Sequence, residues 1–94
     1  MLSQTPIDLS KVKQDDIEKE ALRLAIMAEL DAISLYEQLA NMVSREVLKM
    51  VLLDVAKEEK THVGEFQALL LRLDPEQAKE LEKGKAEVDE LTEK

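Results

Sequence analysis

From Leu48 to Leu73, the residues Leu48, Leu52, Val55, Glu59, His62, Phe66, Leu69 and Leu73 follow one another in alternating steps of four and three. That spacing places them on one face of an α-helix and marks a seam that packs against another helix. Glu59 and His62 stand in the middle of it, where the pattern asks for leucine. A carboxylate there loses hydration at a cost of several kcal/mol unless something pairs with it. The seam therefore requires both a helical partner and a counter-charge, and a metal ion supplies the second.

A matching run precedes it. Leu22, Ala25, Ile26, Glu29, Ala32, Ile33, Tyr36, Leu39, Ala40 and Val43 form a helical stripe, again with one carboxylate, Glu29, in its middle. Asp15, Asp16 and Glu18 suit the positive end of a helix dipole and place the start near residue 15. Between the two runs, Asn41 tolerates the left-handed conformation that ends a helix, and Ser44 is a cap for the next, with Glu46 in its first turn. Glu29 lies fifteen residues before Ser44 and Glu59 fifteen after it. At about 1.5 Å rise per residue, an antiparallel hairpin brings the two carboxylates level, roughly 22 Å from the turn. With two glycines and two prolines in 94 residues, the expected class is all-α.

The expected organisation is an N-terminal arm over residues 1–14, a helical hairpin over 15–73, and a short C-terminal helix over 74–94. The arm shows no sustained period and is expected to dock on a neighbour. The last helix is announced by Asp74 as cap, Pro75 at the first helical position and Gln77 at capping-box spacing. Its apolar positions Ala78, Leu81, Val88 and Leu91 are sparse and interrupted by Gly84, which predicts weak packing or contact with another subunit.

Bulk properties narrow the function. A net charge of −8 opposes a phosphate-binding surface, so nucleic acid is not an expected partner, and the potential draws in cations. Without cysteine, neither disulfides nor thiolate metal sites are available, and a metal must be held by oxygen and imidazole. No apolar run approaches the ~20 residues that span a bilayer, and the N-terminus lacks the regions of a signal peptide, which predicts a soluble, intracellular chain. A single hairpin leaves apolar surface uncovered, so association is expected.

Glu29, Glu59 and His62 are the candidate ligands. Di-iron carboxylate bundles take a Glu from each of two helices and a Glu-x-x-His from each of the other two. This chain supplies half of that set, and a two-fold axis beside Glu59 supplies the rest: four carboxylates and two imidazoles around two metals. Hard oxygens with one imidazole per metal suit iron or manganese, and zinc in vitro. The competing reading lets Glu59 and His62 pair with each other at the wet edge of the seam, in a non-catalytic helical oligomerisation module. Tyr36 is read either as a core aromatic with its hydroxyl at an edge or as a group that hydrogen-bonds a ligand. Asp31, Glu37, Glu58 and Glu65 fall off the seams, on faces read as solvated.

The run from Ala28 to Ala40, followed by that from Asp54 to Phe66 and the Leu73-Asp74-Pro75 junction, resembles the encapsulated ferritins, half-length members of the ferritin-like superfamily. The likeness covers about residues 17–91. It implies a ferritin-like four-helix bundle made by two chains, and a ferroxidase that oxidises Fe2+ to Fe3+ with dioxygen or peroxide at a shared di-iron centre. Glu29, Glu59 and His62 are then the iron ligands, Glu59 bridging, and Tyr36 a neighbour that tunes them. It also implies a decamer of five dimers, working in the cytoplasm inside an encapsulin shell where iron is mineralised. Family members carry acidic uptake residues on the outer side of the first helix; here Asp31 keeps one and Ala28 replaces another. The chain closes on Leu91-Thr92-Glu93-Lys94 without a recognisable docking peptide, as expected of a truncated chain or the front part of a fusion to the shell protein. A rubrerythrin-like peroxide reductase is the alternative on the same scaffold; without cysteine its electrons must come from an external donor.

Overall fold

The computed structural model describes residues 7–93. Three α-helices dominate it: α1 (Ile17–Met42), α2 (Glu46–Leu73) and α3 (Pro75–Thr92), with no strand among the described residues. α1 and α2 form the expected antiparallel hairpin. Small residues let their backbones approach: Ala32 and Ala40 of α1 and Ala56 of α2 are 7%, 1% and 2% exposed, and Leu70 at 6% is the bulkiest buried side chain among the described residues.

The face that α2 turns toward α1 is rotated slightly from the expected seam. It centres on Leu52, Ala56, Glu59, Val63, Phe66 and Leu70, all buried or half-buried. Leu48, Leu69 and Leu73, expected in the seam, are 48%, 46% and 44% exposed and lie on its flank. One helix can cover only part of so broad an apolar stripe, and the smallest residues win the closest contact.

The turn differs from expectation in detail. Asn41 remains helical and α1 ends at Met42; among the described residues, no non-glycine residue takes a positive φ. Val43 (φ −83, ψ 149) and Arg45 (φ −79, ψ 124) are extended, and they reverse the chain without a left-handed cap. The capping position falls on Arg45 rather than Ser44, with no side-chain cap bond. At the other end, Asp16 closes a 3-10 turn, Gln14–Asp16, and α1 begins at Ile17 with Glu18 and Glu20 in its first turn. A second such turn, Leu9–Lys11, precedes it, and the described part of the arm packs against the chain's own α1. Residues 1–6 of that arm lie outside the described residues.

Asp74 caps α3 as expected, accepting from the Gln77 backbone N–H at 3.1 Å, with Pro75 at the first position. α3 then runs unbroken through Gly84 for 18 residues, and none of its residues is buried. Its tertiary packing among the described residues is confined to α2. The molecule measures 46 × 45 × 19 Å. α2 alone accounts for about 42 Å of one long dimension, so α3 extends sideways from the hairpin and fills the other.

A Cβ added at Gly84 meets nothing within 4 Å, and the helix there needs no glycine. Replacing Gly84 by Ala removes the entropic penalty of glycine in a helix interior and raises unfolding free energy by about 0.5–1 kcal/mol in a urea titration. A loss of stability would mean that another chain approaches this backbone closely. Leu70→Ala leaves a cavity between the two long helices and lowers it by about 2–5 kcal/mol.

Candidate metal centre

The hairpin brings the two mid-stripe anomalies together. Glu29 reaches in from α1, and Glu59 and His62, three residues apart on one face of α2, meet it. His62 Nδ1 lies 3.5 Å from Glu29 Oε2 and 3.6 Å from Glu59 Oε2. One donor atom from each residue falls within 4.8 Å of the others. Both glutamate side chains are 19% exposed, and the imidazole 42%.

Separations of 3.5 and 3.6 Å are too long for charge-assisted hydrogen bonds, which settle near 2.7–2.9 Å. Three donors arranged around one ion at about 2.1 Å stand about 3–4 Å apart, and the two separations from His62 Nδ1 fall in that range. Glu29 Oε2 is moreover buried without a hydrogen-bond partner. Buried carboxylate oxygens rarely remain so. Two carboxylates held close repel each other, and a divalent cation removes both the repulsion and the missing partner. The pairing of Glu59 with His62 alone leaves Glu29 Oε2 unexplained, and the donor set fits a first-row divalent metal bound through oxygen and imidazole.

Of the other residues singled out from sequence, Tyr36 is half-buried on α1, seven residues beyond Glu29 on the same face, outside the cluster. Asp31 lies on the opposite side of α1 to Glu29 and is half-buried rather than on a fully solvated face. Glu58 and Glu65 are exposed. Glu37 does more than face solvent. It pairs with Lys60 of α2 at 3.1 Å, tying the two helices together beside the cluster. Lys60 follows Glu59 directly but is engaged away from the three donors. No local spacing signals this pair, which exists only through the packing of α1 on α2.

Two antiparallel helices, one contributing Glu and the other Glu-x-x-His, are half of a ferritin-like carboxylate bundle. The comparisons agree. The rubrerythrin family profile matches residues 20–93, and the chain belongs to that family. Its fold superposes on the crystal structure of the encapsulated ferritin domain from Pyrococcus furiosus with a TM-score of 0.83 at 54% identity, covering 100% of this chain and 96% of that one. In sequence it is 57% identical over 94 residues to a ferritin-like–encapsulin shell fusion protein of P. furiosus. It is 47% identical over 58 residues to an encapsulin nanocompartment cargo protein of Myxococcus xanthus. These alignments take in 98% and 62% of this chain but 27% and 45% of the two relatives, so the chain matches about a quarter of the first and less than half of the second.

Glu29→Gln tests the electrostatic argument. It relieves carboxylate repulsion, so the metal-free protein melts at or above the wild-type temperature, while the shift produced by a divalent cation in calorimetry disappears. In the wild type that stabilisation is about 2.7 kcal/mol at a hundredfold excess over Kd. A Glu29→Gln protein that is both less stable and still stabilised by metal would contradict it.

Proposed function

We propose that two copies of this chain pair across the Glu59–His62 side of the hairpin, hold two iron ions between them and oxidise Fe2+ to Fe3+. The observation that carries this is the convergence of Glu29, Glu59 and His62 around a buried carboxylate oxygen without a hydrogen-bond partner. One chain supplies three donors, too few for a pair of metals, and the chain leaves uncovered the flank of α2 that a second copy needs. Leu48, Val55, His62 and Leu69 recur every seven residues along it, and Leu48, Val51, Leu69 and Leu73 are 44–57% exposed. A two-fold axis there supplies the second Glu29, Glu59 and His62 and completes a four-helix bundle.

The chemistry follows from the donors. Glu29 and Glu59 from both chains place four negative charges around the bound ions, which favours the trivalent product over the divalent substrate. His62 would hold the metal through a ring nitrogen. Two ferrous ions release one electron each; dioxygen accepts both with two protons from water and leaves as hydrogen peroxide. Glu59 would be shared between the two ions, as the resemblance to encapsulated ferritins implies, and Tyr36 is assigned a neighbouring role in tuning the ligands. The family profile carries the name rubrerythrin, which favours peroxide as a second oxidant on the same site.

The relatives' names support a cellular setting. One is fused to an encapsulin shell protein and the other is an encapsulin nanocompartment cargo. We therefore place this domain inside an encapsulin compartment in the cytoplasm, as a decamer of five dimers that supplies ferric iron for storage. Among the described residues, no helix is long and apolar enough to cross a membrane.

The test is anaerobic loading with Fe2+ followed by air, read as ferric absorbance, with mass followed by light scattering. Wild type oxidises iron well above the protein-free rate and gains mass on metal binding. Glu59→Ala retains its circular-dichroism helix content and falls to background. Oxidation at the wild-type rate in Glu59→Ala would overturn the assignment.

A further inference from the structure

The junction between α2 and α3 carries a polar arrangement that the metal chemistry does not use. The Asp74 side chain, 15% exposed, serves two elements with its two oxygens. Oδ1 accepts from the Gln77 backbone N–H at 3.1 Å and caps α3. Oδ2 accepts from Arg23 Nη2 of α1 at 3.1 Å. Arg23 in turn donates through Nη1 to Glu20 Oε1 at 2.6 Å, so its guanidinium is held at both ends. A planar fork fixed between two carboxylates leaves little freedom to either partner.

This matters because little else fixes the direction of α3. None of its residues is buried, and its apolar residues Leu81, Val88 and Leu91 are 42%, 58% and 73% exposed. α3 also has its own means of staying helical: the Asp74 cap, Pro75 at its first position and a Lys85–Asp89 pair at 3.0 Å one turn apart. Folding of α3 and orientation of α3 thus depend on different atoms of the same side chain.

We propose that the Arg23–Asp74 ion pair is a latch that holds α3 at a fixed angle to the hairpin and that opens with salt while α3 remains helical. Arg23 sits six residues before Glu29 on α1, so the latch fastens α3 to the helix that carries a candidate metal ligand. Closed, it presents the row Leu81, Val88 and Leu91 in one direction; open, it frees that row to pivot about the 73–75 junction. Arg23 is 40% exposed, which admits counter-ions to the pair, and screening at high ionic strength weakens it.

Spin labels at Gln38→Cys in α1 and Glu87→Cys in α3 read the angle directly, because the natural sequence holds no cysteine. Labelled chains are diluted with unlabelled ones in metal-free protein, and the distance distribution is measured by pulsed electron resonance. The expected result is one narrow peak at low salt that is lost to a broad distribution at high salt. Arg23→Ala gives the broad distribution at every salt concentration with unchanged helix content. Asp74→Asn, which keeps a capping oxygen but loses the charge, does the same. A narrow peak that survives in Arg23→Ala, or that is indifferent to salt in the wild type, overturns the proposal; so does loss of α3 helicity in Asp74→Asn, since cap and latch would then be inseparable.

Discussion

The arrangement that governs this protein is the confinement of two glutamates against one another between two packed helices, with an imidazole beside them and no basic side chain of the site's own among them. Glu29 Oε2 is buried without a hydrogen-bond partner, while Lys60, directly after Glu59, is turned to Glu37. A core assembled for stability alone would place apolar side chains at Glu29 and Glu59, as Ala25, Ile26, Ala32 and Ile33 do around the first and Val55, Ala56 and Val63 around the second. The chain instead keeps a local electrostatic deficit of the kind a cation would fill, and on the proposed function the free energy given up on folding would be recovered on binding.

The second governing fact is how little the chain buries. Among the described residues, three alanines and one leucine are buried, and large apolar residues along α2 remain open to solvent. A domain of this size with so small a core has little margin of its own. The uncovered flank of α2 includes His62, so the surface that most needs a partner is also the surface where the ligand set is incomplete. On the proposed function, metal binding and association would answer the same deficiency.

Much of this was legible in sequence because it depends on helical period alone. The two long helices, the cap at Asp74 with Pro75 after it, and the levelling of Glu29 with Glu59 all follow from spacing, since an antiparallel hairpin converts equal distances from a turn into contact. What escaped depends on packing. Ala56 takes the closest point of the inner face because close approach selects small side chains, and the rotation of the face that follows brings Leu70 in and leaves Leu69 on the flank. The turn at 43–45 uses extended backbone, which leaves no residue signature, so Asn41 and Ser44 pointed to the right neighbourhood but to the wrong atoms. The pairs Glu37–Lys60 and Arg23–Asp74 join residues far apart in sequence, and no local pattern announces them.

The most direct measurement is a crystal structure of the protein soaked anaerobically in Fe2+, with anomalous data collected on either side of the iron absorption edge. The account predicts iron peaks between Glu29, Glu59 and His62, with a second copy of the same three side chains on the far side of a two-fold axis. Iron bound elsewhere, or Glu29, Glu59 and His62 closed into hydrogen bonds among themselves with no anomalous density between them, would contradict it.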